Sequence, residues 1–367
     1  MDISRIDPNF TPATVGGLAV EYLDALKPNG VFRLSGIPWR CADGAFTRLP
    51  ETLTRREVNE RALFLAHDMS GGQLAFRTDS RYIAVRAVLN IAPHDAPHMA
   101  RTGTSGLDFY ERTAEGYVFR KVIGPTMNHL YGETLEELAI PAATERKMRS
   151  WRVNLPMYGG ARKLELGFEP GAHFEAPEPF AIPKPIVFYG SSITQGGCAS
   201  RSGNNYSTML CRALDAEEID LGFSGAGKGE IAVAQAIASL DPAAFVMDYD
   251  HNAPDAEHLR KTHGPFFRTV RAAHPDLPIL ILSSGDIRSA ERTAAIRATY
   301  EAAVAAGDKN VYFLDGKTYF AELDDWRTAT VDGCHPNDLG FYLMYRAILP
   351  VLKKALTARV SAPSEIP

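Results

Sequence analysis

An all-β sandwich followed by a flavodoxin-like α/β domain is the fold this 367-residue sequence predicts. Three observations predict it. Upstream of residue 177 the apolar residues recur with period two, and downstream short apolar runs alternate with helical patterns. Between the two regions PEPFAIPKP, residues 177–185, places four prolines in nine positions. Proline fixes φ and lacks the N–H that a helix needs, so this segment reads as a stiff joint. The expected division is a jelly-roll-like sandwich over 1–176, the joint over 177–185, the α/β domain over 186–358 and a frayed tail over 359–367.

In the first part Arg81–Leu89 sets Ile83, Val85, Ala87 and Leu89 on one face, as a half-buried strand requires. Gln73–Thr78, Asp108–Glu111, Tyr117–Val122, Trp151–Leu155 and Leu164–Phe168 are further short strands bounded by Gly, Pro or Asp. Leu18–Leu26 and Leu135–Met148 are the segments that read as helices there. Many short strands with few helices predict a sandwich. In the second part Ile186–Tyr189, Glu218–Leu221, Phe245–Tyr249, Ile279–Leu282 and Val311–Leu314 read as buried strands. Helical patterns follow them at Tyr206–Leu214, Glu230–Ser239, Ala256–Ala273, Ala290–Ala306 and Leu339–Leu356. Five βα units predict a five-stranded parallel sheet with helices on both faces, whose working residues lie in loops at the strands' carboxyl ends.

Composition narrows the function classes. Lys and Arg number 39 against 44 Asp and Glu, a net charge of −5, and no basic run offers the footprint of a nucleic-acid protein. No apolar stretch approaches membrane-spanning length, and MDISRIDPNF lacks the charged and apolar regions of a signal peptide, so a cytoplasmic protein is expected. Cys41, Cys198, Cys211 and Cys334 are too few and too scattered for a disulfide framework or a CxxC metal site. His258 and His263 are five apart and do not align on one helix face; with His251 they read as surface residues, and no metal or cofactor is expected.

Four of the strand-end loops carry residues suited to acyl transfer: Gly190-Ser191-Ser192-Ile193-Thr194, Gly222-Phe223-Ser224-Gly225, Asp250-His251-Asn252 and Asp332-Gly333-Cys334-His335-Pro336. A serine hydroxyl becomes a nucleophile when an imidazole takes its proton, and a carboxylate on the other ring nitrogen fixes the tautomer. Asp332 and His335, three residues apart in a turn, can meet without a third element. The backbone N–H groups of Ser192 and Gly225 and the amide of Asn252 would supply three oxyanion donors. Gly225 also reads as a plain turn glycine and Asn252 as an Asx-turn residue. Gly222–Gly229 nearly matches a phosphate-binding loop, but Gly229 replaces the hydroxyl residue that would hold a metal. Cys198 and Trp326 are pocket-lining candidates, while Cys334, Trp39 and Trp151 read as packing residues.

FYGSSITQG resembles the first block of the SGNH, or GDSL-type, hydrolases, and DGCHPNDLGF resembles their last, Asp-x-x-His-Pro block. That resemblance implies Ser192 as nucleophile, His335 as base, Asp332 as its orienting acid, and Ser192, Gly225 and Asn252 as the oxyanion donors. Ser191 stands where Asp is commoner, and Asp250 where the third block usually has Gly. Gly106-Leu107-Asp108-Phe109-Tyr110 resembles the Gly-x-Asp-Leu-Tyr signature of a domain that precedes some of these hydrolases. The resemblance implies a cofactor-free esterase for short acyl esters of carbohydrates or small alcohols. Because sites often form at domain interfaces, the sandwich is expected to wall one side of the pocket. An acyltransferase is the alternative enzyme, and a carbohydrate-binding protein on the same fold the non-enzymatic one.

Overall fold

The computed structural model describes residues 13–27, 29–90, 96–285 and 290–360, and the last seven residues of the expected tail lie outside them. The first part is a sandwich of two antiparallel sheets. One runs Ala13–Val15, Leu18–Asp24, Ala161–Phe168, Ile83–Leu89, Leu135–Ile140 in spatial order. The other runs Phe174–Glu175, Gln73–Thr78, Arg149–Asn154, Leu107–Thr113, Gly116–Ile123, with Arg33–Ser35 also paired to Gln73–Thr78. Period-two alternation fills the space between: Ile83, Val85, Leu164, Leu166 and Phe168 of one sheet meet Leu74, Phe76, Trp151 and Val153 of the other.

Two sequence expectations fail in this part, because sheet pairing overrides a local apolar pattern. Leu18–Leu26 is a strand, Leu18–Asp24, joined to Ala13–Val15 by Gly16 and Gly17 at φ 57° and 78°. Two left-handed residues make the tight turn that a hairpin favours. Leu135–Met148 begins as the strand Leu135–Ile140, hydrogen-bonded along Ile83–Leu89 and ended by Pro141.

The second part is a parallel sheet in the order Ala216–Gly222, Ile182–Gly190, Ala244–Asp248, Ile279–Leu282, Val311–Leu314. Its first strand in chain order begins at Ile182, inside the proline-rich 177–185 segment, and pairing lapses over Pro183–Pro185 before resuming at Ile186. Alternate residues serve opposite faces. Val187, Tyr189, Phe245, Met247 and Ile279 pack under helices Ile231–Ala238, Ala256–Ala273 and Ala290–Ala305. Ile186, Phe188, Val246 and Leu280 pack under Tyr206–Leu214 and Asp338–Val360. Among the described residues no helix is long and apolar enough to cross a membrane.

Residues 36–72 leave the sandwich and pack against the second part. They form the short hairpin Trp39–Arg40/Phe46–Thr47 and the helix Glu60–Leu65, and Leu49, Val58, Ala62 and Leu65 join the core around Ile219, Leu221 and Phe223. At the centre Arg48 is wholly buried. Its guanidinium donates to the carbonyls of Gly222 at 2.7 Å, Asp220 at 3.0 Å, Leu65 at 2.7 Å and Asp68 at 3.1 Å. The Asp220 carboxylate lies 3.8 Å away, also fully buried. Contact here is close enough to require glycine: a Cβ on Gly71 would stand 2.8 Å from that of Asp220.

Removing Arg48 would leave a buried carboxylate and four carbonyls without their cation. Arg48→Met should therefore cost roughly 3–5 kcal/mol in urea unfolding. Arg48→Lys should recover only part, because an ammonium cannot reproduce the planar fork. A loss below about 1 kcal/mol for Arg48→Met would show that the fork does not hold the two parts together.

Candidate active site

The loops at the carboxyl ends of the parallel strands bring Ser192, Asp332 and His335 together. Ile182–Gly190 ends at Ser191, whose hydroxyl caps the next turn by accepting from Ile193 N at 3.1 Å. Ser192 opens that single helical turn and is 9% exposed. On the last loop Asp332 Oδ1 accepts from Cys334 N at 2.9 Å and His335 N at 2.7 Å, which closes the turn around the carboxylate. Asp332 Oδ2 meets His335 Nδ1 at 2.7 Å, and His335 Nε2 meets Ser192 Oγ at 2.8 Å. Partial burial pushes the Asp332 carboxyl up, but the bonds from His335 and the backbone outweigh it and hold it at about 2. The carboxylate therefore stays charged at any pH where an imidazole can act as base. Such a chain can draw the proton from a serine hydroxyl.

Gly225 and Asn252 also converge, though in a way the sequence did not suggest. Gly225 is left-handed at φ 70°, with nothing within 4 Å of where a Cβ would stand. In the amide orientation that satisfies its neighbours, Asn252 accepts from Gly225 N at 3.0 Å and Ala226 N at 3.2 Å. Two groups expected as parallel donors are thus bonded to each other, and the Asn252 Nδ2 group turns away from that pair. The N–H of Ser192, at the first position of its turn, has no intrahelical acceptor.

Asp250, in place of the usual glycine, is accommodated. Its buried carboxylate accepts from Ser284 N at 2.7 Å, and its loop is held by Arg292, which donates to Asp250 O at 2.8 Å and Ala253 O at 2.9 Å. His251 and Ser284 pair beside it at 2.8 Å. The phosphate-loop reading finds no support, because Gly227 lies so close to the Gly190 carbonyl that a Cβ would approach it to 2.2 Å.

Ser192 and His335 open onto a cavity of about 250 Å³. Cys198 lines it with Gly197 and Ser224, and residues 1–176 contribute Arg61, Ala96, His98, Met99 and Tyr158. Trp326 does not line it. The ring is half-buried behind the last loop, among Tyr319, Phe320, Pro336 and Met344, so it packs the core instead. His251, His258 and His263 do not converge: His258 Nε2 bonds the Lys228 carbonyl at 2.8 Å, and His263 Nδ1 bonds the Thr299 hydroxyl at 2.8 Å.

Residues 183–353 match the GDSL-like lipase/acylhydrolase family, and residues 20–174 match the GxDLY domain that forms the N-terminus of SGNH-hydrolase-type esterases. These matches make residues 183–353 a GDSL-like lipase/acylhydrolase domain, preceded by a GxDLY domain. Similar solved structures include a GDSL-like lipase from Bacteroides ovatus, 29% identical, covering 92% of this chain and 98% of that one with a TM-score of 0.79. The salicylyl-acyltransferase SsfX3 of a tetracycline biosynthetic pathway is 19% identical over 94% of this chain and 98% of its own, TM-score 0.72. The acetyl xylan esterase Est2A from the rumen bacterium Butyrivibrio proteoclasticus is 12% identical over 92% and 99%, TM-score 0.58. No curated protein matches the chain.

In the GxDLY domain the aspartate of the Gly-x-Asp-Leu-Tyr signature has a mechanical role. Asp108 is fully buried and accepts from Asn154 Nδ2 at 2.7 Å, Gly203 N at 2.8 Å and Arg201 Nη1 at 3.0 Å. It thereby pins the stretch that follows Ser192. A second tie runs through Gln195, which sequence reasoning missed. Its amide donates to Asp68 Oδ2 at 2.8 Å and accepts from Ser224 N at 2.8 Å, beside Gly225. Asp68 in turn accepts from Gly159 N at 2.7 Å, and the Ser70 hydroxyl lies 2.8 Å from both the Gln195 carbonyl and Asp220 Oδ2. Only a glutamine within the Ser192 turn could have hinted at this, since Asp68 is 127 positions away.

Gln195 touches no reacting atom in this arrangement; it positions the loop that carries Gly225. Gln195→Leu should lower kcat by as much as about 10²-fold while KM moves little, because small misplacement of reacting groups costs that much. A folded Gln195→Leu protein with parental kcat would remove the positioning role.

Proposed function

We propose that the chain is a serine esterase that works through an acyl-enzyme on Ser192. The observation that supports this most is the continuous hydrogen-bond chain from Ser192 Oγ through His335 to Asp332, 2.8 and 2.7 Å, at the edge of a cavity. In this reading His335 Nε2 takes the hydroxyl proton as Oγ attacks the acyl carbon. The ester's alcohol leaves with that proton, and a water deprotonated by His335 then releases the acid. Asp332 holds the tautomer and stabilises the imidazolium. Ser192 N–H and Asn252 Nδ2 serve the oxyanion, with Gly225 orienting Asn252 through the bond at 3.0 Å.

The cavity, about 250 Å³, is smaller than the range of about 300–1,000 Å³ that holds drug-sized ligands. That size favours a short acyl group, with the alcohol or sugar outside the narrowest part. Carbohydrate esters are the favoured class, in line with the acetyl xylan esterase among the similar structures. An alcohol could replace water in the second step without any change to the first. Adding acceptor sugars to the assay separates transfer from hydrolysis by its product.

Labelling by a fluorophosphonate probe tests the nucleophile. Ser192 should carry the label, and Ser192→Ala should lose both labelling and hydrolysis of acetyl esters. Label on another residue of Ser192→Ala would overturn the assignment.

Asn252→Asp tests the oxyanion role, since it keeps an acceptor for Gly225 N and Ala226 N but replaces the donating amide with an anion. Its kcat should fall by at least about 10²–10³-fold, the cost of losing one working donor, with thermal stability nearly unchanged. A kcat within about threefold of the parent would retire Asn252 as a donor.

A further inference from the structure

Three metal-ligating side chains meet in the cavity from distant stretches of the chain. His98 comes from the loop beyond the sandwich strand Ile83–Leu89, Cys198 follows the Ser192 turn, and His335 lies on the last loop. One nitrogen of each histidine and the Cys198 sulfur all lie within 4.8 Å of one another. The His98 and His335 rings are 6.0 Å apart, centre to centre. Two imidazole nitrogens and a thiolate form a donor set that suits zinc, which accepts bonds of about 2.0–2.3 Å in a tetrahedron. Shifts on the order of 1 Å would close the set around one ion of that size. His98 is exposed and lines the cavity beside the other two.

Two further observations favour a ligand role. Asp332 occupies Nδ1 of His335 at 2.7 Å, which leaves Nε2 as the ring atom facing the cavity. A carboxylate behind a histidine is the arrangement that orients and strengthens metal-bound imidazoles. Cys198 is buried and non-glycine at φ 77°, a backbone position that costs free energy and that the surrounding loop imposes. Cys198 lines the cavity and is only 7% exposed.

We propose that His98, Cys198 and His335 form a zinc site whose occupation switches the esterase off. Its inhibitory effect rests on the triad reading above; the binding itself does not. On binding, Cys198 releases its thiol proton to solvent and its sulfur bonds the ion, and both imidazoles bond through nitrogen lone pairs. The His335 lone pair is the one that would accept the Ser192 proton, and it cannot do both. Zinc therefore opposes catalysis instead of assisting it.

Isothermal titration of the Ser192→Ala protein with zinc chloride tests binding where no hydrolysis is possible, and cadmium titration reads the thiolate by its ultraviolet charge-transfer band. One ion per chain and a cadmium–thiolate band are expected. His98→Ala and Cys198→Ser should each weaken zinc binding more than about tenfold. His98 is on an exposed loop, so its variant remains informative if Cys198→Ser folds poorly. In the parent, zinc should block both hydrolysis and fluorophosphonate labelling, and EDTA should restore them. Absence of the cadmium band, or zinc affinity unchanged in His98→Ala, would overturn the site. Zinc bound by Ser192→Ala while the metal-free parent hydrolyses no ester would instead overturn the esterase reading and leave the site standing.

Discussion

The burial of one guanidinium decides how the two parts of this chain fit together. Arg48 directs four of its five N–H groups to backbone carbonyls, two of them of the parallel strand Ala216–Gly222. A cation so placed tolerates little displacement, because any carbonyl it loses becomes an unpaired buried acceptor. From there the constraint spreads through Asp220 to Ser70, and from Asp68 to Gln195 and Ser224. The turn that carries Ser192 and the loop that carries Gly225 are therefore set by residues of the first part. In open α/β sheets the working loops lie at the carboxyl ends of the strands. Here they are clamped from outside.

That clamp gives the family signature a physical meaning. The aspartate of Gly-x-Asp-Leu-Tyr is buried with no solvent to satisfy it, so it must be paired inside, and it pairs with the backbone and side chains that follow Ser192. Asp338, at the start of the last helix, does the same from the opposite side by accepting from Ser200 N at 2.8 Å and Asn204 Nδ2 at 2.8 Å. The 198–204 loop is thus held between two carboxylates, one from each part. A strained residue such as Cys198 can persist there because its surroundings over-determine it.

Ile186–Tyr189, Phe245–Met247 and Ile279–Leu282 were legible because they are buried on both faces and read as unbroken apolar runs, and sandwich strands such as Ile83–Leu89 because every second residue, from Ile83 to Leu89, is apolar and faces the core. Asp332 and His335 were legible because three residues of turn suffice to join them, so no long-range information was needed. Ser192 became legible only in company. What escaped was whatever depends on partners far along the chain. Leu18–Asp24 carries a helix-like pattern, and only its pairing with Ala161–Phe168 makes it a strand. Residues 36–72 looked like ordinary sandwich sequence, since nothing local says that Leu49 and Val58 face another core. The mutual bond of Asn252 and Gly225 is a matter of angles between two loops, which spacing does not encode.

The excursion of residues 36–72 has a consequence for how the protein is made. Those residues emerge from the ribosome long before Ala216–Gly222, the strand they pack against. Until then Leu49, Val58 and Leu65 lack their partners and Arg48 its acceptors, so the first part cannot finish folding as it is synthesised. Contacts separated by about 170 positions, such as Arg48 to Gly222, also carry a large loop-closure cost that must be met before they reward the chain. Completion of the N-terminal part is thereby deferred until Ala216–Gly222 has been made. Nascent chains of this protein pass through an interval with an apolar surface open to chaperones, and the two halves become stable together.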